Sequence, residues 1–154
     1  MNSTKNKIFN KVQEVAKSVK KELRDKGYIV PVKETDGSIN FEGVRVRKIK
    51  DTFYTIYDIH NIPVVENLNL LQTAVVLANN ISLGRWPDMK LIEADKQYGY
   101  QSFKLEVYKA RRNKATEFTD TWLYYDTRQR IASENTEKYK KVITASFDKL
   151  SNIR

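Results

Sequence analysis

The amino-acid sequence predicts an α+β protein, predominantly helical, with a small antiparallel β-meander packed on a central buried helix and a long C-terminal helical hairpin. Three observations predict it. Between Glu66 and Gly84, Leu68, Leu71, Ala74, Val75, Ala78 and Ile81 follow the spacing of a helix face, and Leu70, Val76 and Leu77 widen that face until little polar surface remains. A helix that is apolar on most sides has to be covered on most sides. Residues 28–60 show short alternating runs punctuated by turn residues instead, and from Asp88 onward the helical spacing returns almost to the last residue.

Taken in order, Ser3 or Thr4 can cap a first helix whose stripe is Ile8, Val12, Val15, Ala16, Val19 and Leu23, with Gly27 as its stop. Lys7, Lys11, Lys17, Lys21 and Arg24 lie opposite, so residues 1–27 read as a basic amphipathic helix that packs on its own domain. Tyr28 to Val32 is a β-type run in which Pro31 suits an edge strand, and Thr35-Asp36-Gly37-Ser38 is a turn. Ile39 to Arg47 reads as one strand, offset at Gly43 as by a bulge, and Phe53 to Tyr57 as the next. These make the meander of residues 28–60.

Pro63 can sit in the first turn of the central helix, predicted over 63–84, and Gly84 can take the left-handed turn that ends it. Asp88 can cap the following helix, whose stripe is Met89, Ile92, Tyr100, Phe103, Val107 and Ala110. A break over Asn113 to Thr119 reverses the chain. Phe118, Trp122, Tyr125, Ala132, Tyr139, Val142, Ile143, Phe147 and Leu150 then keep helical spacing, with Ser133 to Thr136 able to divide the segment into two helices. Residues 88–152 are therefore predicted to be a helical hairpin within a single domain, 1–154.

Composition bounds the function. The 154 residues include no cysteine, which excludes disulfides, thiolate catalysis and sulfur-ligated zinc. Leu68 to Leu83 is too short and too often broken by amides to cross a bilayer, and lysines interrupt any leader-like run near Met1. The expected location is the cytoplasm, or a particle assembled there, with no membrane partner. The net charge of +9 is uneven: residues 1–27 hold eight Lys/Arg against three Asp/Glu, and residues 101–130 seven against four, while the middle is near neutral. Such a distribution favours nucleic acid or an acidic protein surface.

Three groups of residues bear on chemistry. His60 is the only histidine, and if the preceding strand continues, Asp58 projects to the same face; one histidine and one carboxylate are half a metal site at most. Asp88, Glu93, Asp95 and Lys96 lack the spacing of a nuclease metal cluster and read as a helix cap and a surface pair. Lys104, Lys109, Arg111, Arg112 and Lys114, with Arg128 and Arg130 on the returning helix, can converge near Tyr124 and Tyr125 as a polyanion-binding end; Glu106, Glu117 or Asp126 can equally pair with the arginines. No phosphate loop, nucleophile elbow or HExxH is present, so no catalytic, metal or cofactor-binding residue is assigned and no cofactor is expected. The reading is a non-catalytic structural or assembly protein that contacts other protein subunits in a multi-subunit complex, a viral (phage) particle being one concrete form. The alternatives are a basic nucleic-acid-binding accessory protein and, third, a metal-dependent enzyme.

Overall fold

The computed structural model describes residues 29–50 and 52–151. The basic helix expected over residues 1–27 lies outside them. The chain is α+β and mostly helical, with a five-stranded antiparallel sheet and three helices among the described residues. The described residues form two compact units, one of residues 29–88 with 146–151 and the other of Met89–Ala145.

In the first unit the strands β1 (Val32–Lys33), β2 (Ile39–Phe41), β3 (Val44–Ile49), β4 (Phe53–Tyr57) and β5 (Pro63–Leu68) pair in sequence order. Each connection is a local turn, which keeps the entropy of closing the meander small. The turn from β1 to β2 is held by the Asp36 carboxylate, which accepts from the Ser38 amide at 2.9 Å and the Ser38 hydroxyl at 2.6 Å. Those two bonds, helped by the positive charges of Arg47 and Arg45, hold the Asp36 carboxyl below its ordinary value.

Two elements differ from the sequence expectation. Residues 39–47 are two strands, not one bulged strand, because Glu42 (φ 54°) and Gly43 (φ 106°) both take left-handed conformations and close a two-residue hairpin between Phe41 and Val44. That turn matches the twist of its strands, and the Asn40 side chain braces it by accepting from the Gly43 amide at 2.6 Å. A side chain at Gly43 would also meet Ile59, whose Cγ2 lies 2.8 Å from a Cβ placed there. The second difference is larger. The central helix, expected over 63–84, begins only at Leu71, and Pro63–Leu68 is β5 instead. Pro63 pairs with Tyr57, Val65 with Ile56 and Leu68 with Tyr54. The β-branched pair Val64-Val65 and an open sheet edge outweigh the helical spacing of Leu68.

The helix α1 (Leu71–Ser82) packs on β2, β3, β4 and β5. Thr73, Ala74, Val75, Leu77, Ala78 and Asn79 are buried, in keeping with a helix apolar around most of its girth. Phe41, Val44, Val46, Ile56, Val65 and Leu68 supply the buried sheet residues. Alternation along β3 sends Val44 and Val46 inward and Arg45 and Arg47 to the other face. Helix α1 ends as expected: Gly84 (φ 79°) donates to the Ile81 carbonyl at 3.0 Å and Arg85 to the Asn80 carbonyl at 2.9 Å, the paired bonds of a Schellman turn. Asn79 serves the interior rather than the helix end, its Oδ1 accepting from the buried Ile29 amide at 2.8 Å.

The second unit is an antiparallel hairpin of α2 (Met89–Lys114) and α3 (Asp120–Ser151), the latter running on into the final segment. Thr119 caps α3 through its hydroxyl, 3.3 Å from the Trp122 amide. Arg111, Arg112 and Lys114 occupy the last turn of α2, where cations oppose the carbonyl end of the helix dipole. The segment after Asp120 is one helix and not two; the Thr136 hydroxyl bonds back to the Ala132 carbonyl at 2.8 Å and so stays within the helix.

Candidate functional site

The hairpin departs from the sequence expectation in which residues it hides. Helical spacing puts the stripe Met89, Ile92, Tyr100, Phe103, Val107 and Ala110 in the core; Ile92 is buried and Val107 half-buried, but Met89 is exposed. In the structure Tyr100 is 56% and Phe103 68% exposed, and Ala110 is exposed too. Gln101 is buried instead and faces α3: the Asn135 amide lies 3.5 Å from the Gln101 carbonyl oxygen. Helical residues advance about 100° each, so Phe103 stands roughly 200° round from Gln101, on the far side from the seam. On α3, Trp122, Tyr125, Ala132, Tyr139 and Ile143 are buried or half-buried as expected. Phe118 (72%) and Val142 (46%), expected in the same stripe, are exposed instead, and Leu123 (47%) and Ile131 (47%) also face outward.

The seam is correspondingly polar. Arg112 Nη1 bonds the Asp126 carboxylate at 3.1 Å, and Arg130 Nη2 reaches its other oxygen at 2.9 Å. Asp126 thus joins two guanidinium groups while its own side chain is only 11% exposed. Further along, Ser102 Oγ and Gln129 Oε1 are buried with no hydrogen-bond partner among the described residues.

The seven basic residues singled out by sequence therefore divide. Arg112 and Arg130 are paired to Asp126. Lys109 and Lys114 are exposed without an ion pair among the described residues. Lys104, Arg111 and Arg128 sit against tyrosines. Lys104 Nζ is 5.0 Å from the Tyr100 ring and 5.9 Å from the Tyr108 ring. Arg111 Cζ lies 5.8 Å from the Tyr125 ring and Arg128 Cζ 5.2 Å from the Tyr124 ring. The tyrosines also meet one another: Tyr108 stacks on Tyr125 at 6.2 Å across the seam, and Tyr125 meets Tyr124 edge-on at 5.2 Å. The result is an unbroken run, Tyr100–Lys104–Tyr108–Tyr125–Tyr124–Arg128, with Arg111 branching at Tyr125. Tyr124 and Tyr125 were legible as neighbours of the basic cluster; Tyr100 and Tyr108 were missed. The signal for them is the one-turn spacing Tyr100, Lys104, Tyr108, which sets a cation between two rings on one helix face.

The other groups have simpler roles. Strand β4 stops at Tyr57, so Asp58 and His60 do not share a strand face. Asp58 Oδ1 accepts from the amides of His60 and Ile62, both at 2.9 Å, and builds the turn into β5; His60 is exposed. Glu93 accepts from Gln97 at 3.1 Å as a surface pair, and Asp95 is fully buried. Among the described residues no three acidic or histidine groups gather to hold a metal ion, and no helix is long and apolar enough to cross a membrane. No family model, curated protein or solved structure matches the chain.

Proposed function

We propose that this protein is a non-catalytic component of a multi-subunit assembly and works by contact with other protein subunits. The observation that carries the reading is the set of apolar residues the hairpin leaves outward: Leu91, Ile92, Ala132 and Ile143 are buried together with Gln101, Asp126 and Thr136, while Phe103, Leu123, Ile131 and Val142 face outward. Apolar area left in water forgoes about 25 cal/mol per Å², and neighbouring exposed apolar residues along helix faces mark surfaces that other chains cover. Ile131 and Val142, eleven residues apart, return to the same side of α3 and offer a partner helix one apolar line.

The test is the mass of the native complex, by analytical ultracentrifugation or native mass spectrometry, for the full chain alone and with co-expressed neighbouring gene products. The expected result is association that Phe103→Glu with Ile131→Glu abolishes, with helical circular dichroism unchanged. A chain that stays monomeric at every concentration and enters no complex overturns the reading.

A further inference from the structure

We propose that the tyrosine–cation run on the hairpin binds single-stranded nucleic acid, with Lys104, Arg111 and Arg128 on the phosphates and Tyr100 and Tyr124 stacked on unpaired bases. The site borders the outward apolar residues, Tyr100 lying one turn from Phe103 on α2 and Arg128 one turn from Ile131 on α3, but the proposal does not depend on the assembly reading.

Four observations point to this ligand. First, the three cations are not neutralised: none of them forms an ion pair among the described residues, whereas Arg112 and Arg130 are both committed to Asp126. Second, each of the three lies within 6 Å of a ring centre, so ammonium or guanidinium and π-face are offered side by side. Third, Tyr108, Tyr125 and Tyr124 form a continuous ring series across both helices, and Lys104 links Tyr108 to Tyr100. Fourth, the series is accessible at both ends, where Tyr100 is 56% and Tyr124 51% exposed.

Lys104 and Arg111 are seven residues apart, about 10 Å along the helix, and Arg128 meets the same tyrosine pair from α3. A surface that alternates charge with aromatic faces is the sequence-tolerant way to hold a single strand, because every base has a π-face and every nucleotide a phosphate. A duplex keeps its bases stacked on one another and can use only the cations. An acidic peptide could likewise meet the cations but would leave the rings without stacking partners. The net charge of +9 adds attraction at long range for any polyanion, so discrimination must come from the rings.

The experiment titrates the full chain into a fluorescent oligo-dT of about 15 nucleotides, its duplex counterpart and polyphosphate, by anisotropy over a range of salt. Single strands are expected to bind more tightly than duplex, and log K should fall with log salt. Replacing the three cations together (Lys104→Gln, Arg111→Gln, Arg128→Gln) should flatten that slope by about 2, at roughly 0.7 for each single-strand phosphate no longer neutralised. Tyr124→Leu should weaken oligo-dT about fivefold or more and leave polyphosphate binding unchanged, since only the base stacking is removed. Arg111 and Arg128 are exposed, so Arg111→Gln and Arg128→Gln made singly keep the fold intact and should each flatten the slope by about 0.7. The proposal is overturned if oligo-dT does not bind at low salt or if the cation variants bind it as the native chain does. It is equally overturned if Tyr124→Leu has no effect, or if polyglutamate of equal charge competes as well as oligo-dT.

Discussion

The two units of this chain differ in what they bury beside their apolar residues. In the sheet unit Phe41, Ile56, Leu68 and Leu77 are fully buried, and charged residues such as Arg45 and Arg47 point away from that core. In the hairpin Leu91, Ile92, Ala132 and Ile143 are buried as well, but so are Gln101, Asp126 and Thr136, while Phe103 and Ile131 stand in solvent. Each buried polar group there needs a partner to offset its lost hydration, and several have one: Gln101 with Asn135, Asp126 with Arg112 and Arg130, Thr136 with the Ala132 carbonyl. A sequence thus meets two separate demands. Among the described residues the sheet unit buries no charged side chain, whereas the hairpin buries Asp95 and Asp126 and leaves several apolar residues on its surface.

The contrast is broken most directly by truncating one phenylalanine in each unit. Phe41→Ala, in the sheet core, should destabilise the protein by about 3–5 kcal/mol in chemical denaturation, the range for a buried ring. Phe103→Ala, 68% exposed, should change the stability of the isolated chain by no more than about 0.5 kcal/mol. Similar costs at the two positions would show that the hairpin stripe is core after all.

Next in size, Asn79→Ala leaves the buried Ile29 amide without its acceptor and should cost about 1–3 kcal/mol, read from the same denaturation curves. In the hairpin, Asp126→Asn leaves two guanidinium groups without a countercharge. Because Arg130 is largely exposed, the cost should be no more than about 1 kcal/mol, and smaller at high salt.

The smallest effect belongs to the β1–β2 turn. The folded chain holds the Asp36 carboxyl below its ordinary value of 3.8, so its ionised form favours the folded state. That contribution is fully present above the ordinary value and is lost as pH falls through the lowered one. The urea midpoint of Ser38→Ala should therefore drop relative to the native chain above about pH 4, and the two should converge under stronger acid. A constant difference across the acid limb would mean that the two Ser38 bonds act on the turn and not on the carboxyl.

Much of the architecture was legible along the chain. The helical stop at Gly84 was readable because a residue tolerant of positive φ ends a helix that way, and the reversal over Asn113 to Thr119 because polar, capping residues interrupt an otherwise periodic run. Strand β5 was not, since Leu68 fits a helix face and a strand equally well until β4 is present to pair with it. The hairpin turn at Glu42-Gly43 was hidden for a related reason: Glu42 carries no sign of the left-handed conformation it adopts there. At the candidate site the basic residues and Tyr124 and Tyr125 were visible, but not which cations stay unpaired, because that depends on Asp126 lying opposite Arg112 across the seam.

By itself the sequence determined the class of fold, the positions of most helices and turns and the concentration of positive charge, all of which follow from local spacing and backbone preference. Only the tertiary structure decided which face of α2 is covered, where the central helix begins, and which tyrosines meet which cations. Those outcomes rest on contacts between residues far apart in the chain, and periodicity along one element specifies a face without specifying what, if anything, will cover it.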